Sequence, residues 1–158
     1  MSALLDCEVV VTRSGARAMR DKTTGELMHP VVGPLVEAQQ LYVVPSRLAE
    51  RLREHTPEPL VLLDVGLGAG SNAIAAIALS RSLPETTRPL HVTSFDHSVA
   101  ALELASSAEH APSFGLEGPI GQAARDLLER GLHQSPRLRW RFVLGDLLPM
   151  LAREDAGR

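Results

Sequence analysis

The sequence predicts an α/β fold: a parallel sheet with helices on both faces, preceded by a small N-terminal β-meander. Three observations predict it. From residue 60 onward, strand-like runs alternate with helical patterns across short links, the order of a sheet wound in right-handed strand–helix–strand units. The first of those runs, residues 60–65 ("LVLLDV"), is apolar throughout except for Asp64, as strands covered on both faces of a parallel sheet are. Before residue 34 the pattern is different, with β-branched residues separated by tight-turn chemistry.

Residues 8–12 ("EVVVT") read as a strand, and Ser14-Gly15 and the "DKTTG" of 21–25 read as turns, giving two or three short strands over 8–29. Pro34 suits the first turn of a helix over 34–43, where its missing N–H has no partner to lose. Ser46 is the expected N-cap of a second helix, with Leu48 and Leu52 on one face at i, i+4. The "TPEP" of 56–59 is a linker. After the strand at 60–65 come a helix over 72–79, apolar nearly all round, and a strand over 91–95 closing on Asp96. A helix over 99–108, a loop over 111–121 and a helix over 122–130 follow, and a third strand over 137–144 closes on Gly145-Asp146. In that third strand Arg137, Arg139 and Arg141 alternate with Leu138, Trp140 and Phe142. A charge-bearing face suits a sheet edge better than an RNA-binding stripe. The expected division is 1–45 for the meander and a cap, and 46–158 for the wound domain.

Composition narrows the function classes. A length of 158 residues fits one domain, and 44% hydrophobic with 22% charged residues is ordinary for a globular chain. Aromatics at 3% leave too few platforms for a base-stacking single-strand binder. A net charge of −3 gives no whole-molecule attraction for nucleic acid, although a local basic face stays open. Cys7 is the only cysteine, so neither an internal disulfide nor a cysteine-rich metal site is expected. The N-terminus has no basic lead, and no apolar run reaches the ~18–20 residues of a membrane span. A reducing, cytoplasmic setting without membrane association is the expectation.

The chemistry concentrates where the strands end. Gly66, Gly68 and Gly70 follow the first strand at alternate positions, where a wound sheet places its ligand. A dinucleotide site wants G-x-G-x-x-G, but the sixth position counted from Gly66 is Ser71. The pattern here is acid-x-G-x-G-x-G, with Asp64 as the acid. It resembles motif I of the class I S-adenosylmethionine-dependent methyltransferases, which have a Rossmann-like fold. S-adenosylmethionine has no pyrophosphate but carries an ammonium and a sulfonium, so a carboxylate at Asp64 suits its cationic end. Asp96 suits a ribose diol or the N-cap of the following helix, or both. In methyltransferases an acid at the position of Asp146 commonly receives the adenine amino group.

The resemblance extends upstream and downstream, over roughly residues 9–152. "TGELMHPVVGPLVEAQQLYVVPSRL" is similar to the segment leading into motif I in MnmC-type tRNA 5-methylaminomethyl-2-thiouridine methyltransferase domains. Gly25, Glu26, His29, Gly33, Glu37, Ala38 and Tyr42 stand at matching places. Asn72 matches the asparagine that follows the glycines, Asp96 stands where the family more often has Glu, and Asp146 matches its Gly-Asp segment. The resemblance implies S-adenosylmethionine as cofactor and tRNA as partner. It also implies methyl transfer to the amine of 5-aminomethyl-2-thiouridine at wobble position 34. The cofactor-binding residues it implies are Glu26, His29, Asp64, Gly66, Gly68, Gly70, Asn72, Asp96 and Asp146, with no metal, no FAD and no assigned catalytic residue.

The family continues with a further strand ending in an Asp-Pro/Gly-Phe-x-Pro segment that nothing here matches. The expectation is therefore a chain lacking the C-terminal strands, whose 60–65 strand has an open edge that offers a route to a homo-oligomer. Three other readings fit the same residues: a non-catalytic remnant of the fold, a methyltransferase for another small amine, and a nicotinamide-dependent dehydrogenase fragment.

Overall fold

A computed structural model describes residues 6–28 and 32–149. The N-terminal meander is an antiparallel sheet, β1 (Cys7–Val11), β2 (Arg17–Asp21) and β3 (Leu27–Met28), in that spatial order. The second turn is held by the Asp21 carboxylate, which accepts the N–H groups of Thr23 and Thr24 at 2.7 and 3.0 Å. Helix α1 (Pro34–Ala38) then runs into a π turn over Gln39–Val43, closed by Val44 N–H donating to Gln39 O at 3.0 Å. Ser46 does not cap the next helix. Its hydroxyl donates back to Val43 O at 3.0 Å, and Arg47 adopts a left-handed φ of 54°. Helix α2 (Leu48–Leu52) therefore starts later than the serine predicted, although Leu48 and Leu52 both face the core as expected.

The main sheet has the order β4-β5-β7-β6. Strands β4 (Leu60–Val65), β5 (Leu90–Asp96) and β7 (Leu138–Leu144) are parallel, as the alternating pattern predicts. Strand β6 (Leu132–Gln134) pairs antiparallel with β7 and makes the sheet mixed. The arginine-bearing strand is thus interior, not an edge. The short β6 is the edge instead, tied to its neighbouring helix by a 2.7 Å hydrogen bond between His133 Nδ1 and Asp126. At the other side β4 is the edge strand.

Helices α3 (Ser71–Ser82), α4 (Ala100–Ala105) and α5 (Gly118–Arg130) complete the fold, with a 3₁₀ turn at Ala111–Phe114. The core joins α3 and α5 to Leu60, Leu90, Val92, Leu138 and Trp140, and also takes in Cys7 and Met19 of the meander. Each of these three strands alternates, so its other residues point away from that core. Val61, Leu63 and Val65 are 60%, 49% and 62% exposed, and Arg139 and Arg141 are exposed beyond them. Phe95 alone on that side is well buried. Among the described residues, helices cover one face of β4 and leave the other open. None of the helices is long and apolar enough to cross a membrane.

Candidate functional site

The glycine turn between β4 and α3 is built by backbone hydrogen bonds. The N–H groups of Gly66 and Leu67 both donate to Phe95 O, at 2.9 and 3.1 Å, and Gly70 N–H donates to Leu67 O at 2.7 Å. Gly66, Gly68 and Gly70 have φ of 85°, 51° and 82°, a region that side chains avoid. A Cβ at Gly68 would come to 3.1 Å from Met28 Sδ, so the meander packs directly on the turn. Gly70 immediately precedes α3, whose first-turn N–H groups and positive dipole end face the turn.

A cavity of about 210 Å³ sits at this turn. Its floor is Gly66, Leu67, Gly68 and Asn72, and its walls include Met19, Met28, Phe114 and Asp96. Met19 and Met28 are cross-strand partners in the meander, which explains why both reach the same space. A second, larger groove of about 590 Å³ runs along β4 under the π turn, with Tyr42, Ser46, Leu63, Asp64 and Val65 in its lining. Asn72 lines both spaces. Its Oδ1 is buried and has no hydrogen-bond partner, a state that costs free energy unless a ligand or water supplies a donor.

The three strand-end acids differ sharply. Asp96 is half-buried and fixes the turn: Oδ2 accepts Gly68 N–H at 2.9 Å, and Oδ1 accepts His97 N–H at 2.7 Å and Ser98 N–H at 3.3 Å. A carboxylate has about four lone-pair sites, so Asp96 has room for one further donor, not for both hydroxyls of a diol. Asp64 is 4% exposed and accepts the Ser94 hydroxyl at 2.7 Å. Burial pushes its carboxyl up to about 6, Ser94 pulls it down, and the charge of Asp96 adds to the rise. Asp146 is exposed and meets His97 Nε2 at 2.9 Å, outside both spaces.

Of the residues that the sequence singled out, Gly66, Gly68, Asn72 and Asp96 meet at the cavity, and Asp64 joins Asn72 at the groove. Gly70 lies beneath, where an added Cβ would meet Ile74 and Leu102 at 3.2 Å. Glu26 is exposed in the β2–β3 turn and lines neither space. His29 lies outside the described residues. Glu37 is buried, and its carboxylate accepts Val32 N–H at 2.9 Å, a role in closing the loop before α1. Sequence reasoning missed Met19, Met28 and Phe114. For Met19 and Met28 the usable signal was an apolar side chain on each of two strands flanking a tight turn, which cross-strand pairing brings together; Phe114, in the 3₁₀ turn, carried no such signal.

Comparison with known proteins follows the same lines. No family model matches the chain. It is 27% identical over 138 residues to the tRNA 5-methylaminomethyl-2-thiouridine biosynthesis bifunctional protein MnmC of Burkholderia mallei, and equally so to that of Burkholderia pseudomallei. In each case 80% of this chain and 21% of the relative are covered. The chain thus spans about a fifth of the length of these relatives. In fold it is similar to the crystal structure of MnmC2 from Aquifex aeolicus, with a TM-score of 0.66 and 26% identity, over 92% of this chain and 45% of that one. Sequence and fold together support an MnmC-type methyltransferase domain.

Proposed function

We propose that this chain is the S-adenosylmethionine-binding part of a tRNA-modifying methyltransferase acting in the cytoplasm on the wobble uridine. The reaction in this reading is methylation of the amine of 5-aminomethyl-2-thiouridine at position 34. The observation that carries the reading is the unpartnered Asn72 Oδ1 at the junction of the cavity and the groove, beside an acid-x-G-x-G-x-G turn. The relatives named above act in the same modification by their names, which supports the substrate class.

The residues present fit the cofactor. Met19, Met28, Leu67 and Phe114 offer apolar walls that suit a flat heteroaromatic ring, with polarizable sulfur against its face or edge. Gly66, which has nothing within 4 Å of an added Cβ, leaves the backbone open to close approach. Asn72 supplies an acceptor for a ligand N–H or O–H, Asp96 accepts one more donor, and Asp64 faces the groove as the counter-charge for a cationic end. When bound, S-adenosylmethionine supplies a methyl group already activated by its sulfonium. The protein's part is then to hold that group and the substrate amine in line and to exclude water. In this reading residues 1–45 are the meander and cap and 46–158 the cofactor domain, since the meander contributes Met19 and Met28 to the walls.

Calorimetry of the chain with S-adenosylhomocysteine and with NADH tests the proposal. Binding of the first and not the second is expected, and Asn72→Ala is expected to weaken it roughly tenfold, as for a buried acceptor lost from a ligand donor. Binding of NADH alone would replace this reading with the dehydrogenase one. With binding established, transfer of labelled methyl groups to tRNA carrying 5-aminomethyl-2-thiouridine, but not to tRNA lacking it, tests the substrate.

A further inference from the structure

Trp140, the only tryptophan of the chain, is fully buried on β7. Its indole N–H donates to Ser94 Oγ on β5 at 2.9 Å, and the Ser94 hydroxyl donates to Asp64 Oδ2 on β4 at 2.7 Å. This relay crosses all three parallel strands. Register places Ser94 directly beside Asp64, and Trp140 beside Val92, one same-face position back from Ser94. Among the described residues, Ser94 is the one hydrogen-bond donor to Asp64.

Donor counting gives the relay a direction. An indole N–H only donates, so it occupies a lone pair of Ser94 and leaves the serine proton to be given onward. An ionised carboxylate only accepts, so the ionised form of Asp64 completes the chain with every atom matched. A protonated Asp64 adds a second O–H and leaves one proton without an acceptor inside the sheet. The sheet does not need this arrangement for stability, because apolar residues of the same shape serve a core at least as well. What the arrangement does is hold a negative charge at the wall of the groove. The groups facing that charge are Asp96 at the end of β5, Tyr42 from the π turn and the neutral Asn72 of α3, and among the described residues no Lys, Arg or His lines the groove.

We propose that Ser94 and Trp140 are positioning residues that keep Asp64 as a fixed, ionised acceptor for a ligand ammonium in the groove beside Asn72. The identity of that ligand as the amino-acid end of S-adenosylmethionine rests on the proposed function; the relay does not.

Two readouts on the whole chain test this. The first needs no ligand: emission of Trp140 is followed from pH 4 to pH 9. The expected result is one step in the wild type as Asp64 ionises, no step in Asp64→Asn, and a step moved to higher pH in Ser94→Ala. Ser94→Thr, which keeps the hydroxyl, is expected to restore the wild-type position. The second compares S-adenosylhomocysteine with 5′-methylthioadenosine, which lacks the ammonium. At pH 7, Ser94→Ala is expected to lose ~10-fold in affinity for the first and nothing for the second. Trp140→Phe, which keeps most of the packing, is expected to lose ~3-fold in the same selective way, one link further from the charge. A profile that is flat in both the wild type and Ser94→Ala overturns the proposal. So does a Ser94→Ala protein with the wild-type step and the wild-type ratio of the two affinities. If neither nucleoside binds while the step still moves in Ser94→Ala, the cofactor reading falls and the positioning of Asp64 stands.

Discussion

Alternate residues of the same three strands live in opposite surroundings. Toward the helices, Leu60, Leu62 and Asp64 on β4 stand beside Leu90, Val92 and Ser94 on β5, and these beside Leu138, Trp140 and Phe142 on β7. Away from the helices, Val61, Leu63 and Val65 stand beside His91, Thr93 and Phe95, and these beside Arg139, Arg141 and Val143. The first face holds the fully buried Trp140 and Ser94 and the nearly buried Asp64; the second leaves its β4 column about half exposed or more. Residue type does not separate the two on β4, where both faces are Leu or Val but for one Asp. What separates them is cover. The difference teaches that the polar atoms of this sheet are constrained on one face only, and the substitutions below test that contrast.

The largest effect is expected at Trp140. Trp140→Ala removes the largest fully buried side chain and leaves a cavity between β7 and the helices. Losses of ~3–5 kcal/mol are usual for such a truncation, enough to unfold much of a marginal domain. Urea denaturation followed by circular dichroism reads this as a fall in midpoint with little change in slope. A loss under ~1 kcal/mol would mean that the helix-covered face is no better packed than the open one.

Asp64→Asn comes next, and its effect depends on pH. The folded protein holds the Asp64 proton up to about pH 6, above the range of an exposed aspartate. Folded protein therefore binds more protons than unfolded protein between about pH 4 and that value, and this group's contribution to stability falls as pH rises through the window. Above it the loss is constant, on the order of 3 kcal/mol. Asp64→Asn removes the titrating proton. Its stability relative to wild type is expected to climb from pH 4 to pH 6 and stay level above, in paired denaturation curves at each pH. A difference that is flat across this range would mean that Asp64 is solvated like a residue of the open face.

Much of this arrangement is legible in the residues themselves. The alternate glycines and Asp64 place the turn, because positive φ and close backbone approach leave few other uses for three glycines at a strand end. The parallel order of β4, β5 and β7 follows from the alternation of strand and helix patterns. Other features depend on partners distant in sequence. Ser46 looked like a cap, but the π turn before it offered Val43 O as a better acceptor. Strand β6 is three residues long, too short for a period, and exists because β7 offers it an edge. Arg139 and Arg141 signalled exposure correctly, yet they marked an uncovered face and not an edge. Arg137 does not share that face: it precedes β7, half-buried, and donates to Ser80 O, Leu83 O and Thr87 Oγ1. The relay through Ser94 was invisible because the register of three strands, and no local pattern, brings Trp140 and Asp64 to one serine.

The smallest effects are expected on the open face, and they sharpen the comparison most. Val61→Thr and Val65→Thr keep shape and β-branching while exchanging a methyl for a hydroxyl. On a face that meets water the hydroxyl is solvated, and each change is expected to fall within about 0.5 kcal/mol of wild type. The same exchange in a packed setting strands a hydroxyl and costs ~1–3 kcal/mol. The pair therefore measures whether water or protein covers β4 in solution. An exposed apolar, uncharged column of this kind is also a surface that a second copy can bury face to face. If the face were covered in that way, stability would rise with protein concentration, and both substitutions would lower the concentration dependence as well as the midpoint. Thermal melts of wild type and the double variant over a hundredfold range of concentration separate the cases. Curves that overlay at every concentration leave the face to water, and a midpoint that climbs with concentration in the wild type alone assigns it to a second chain.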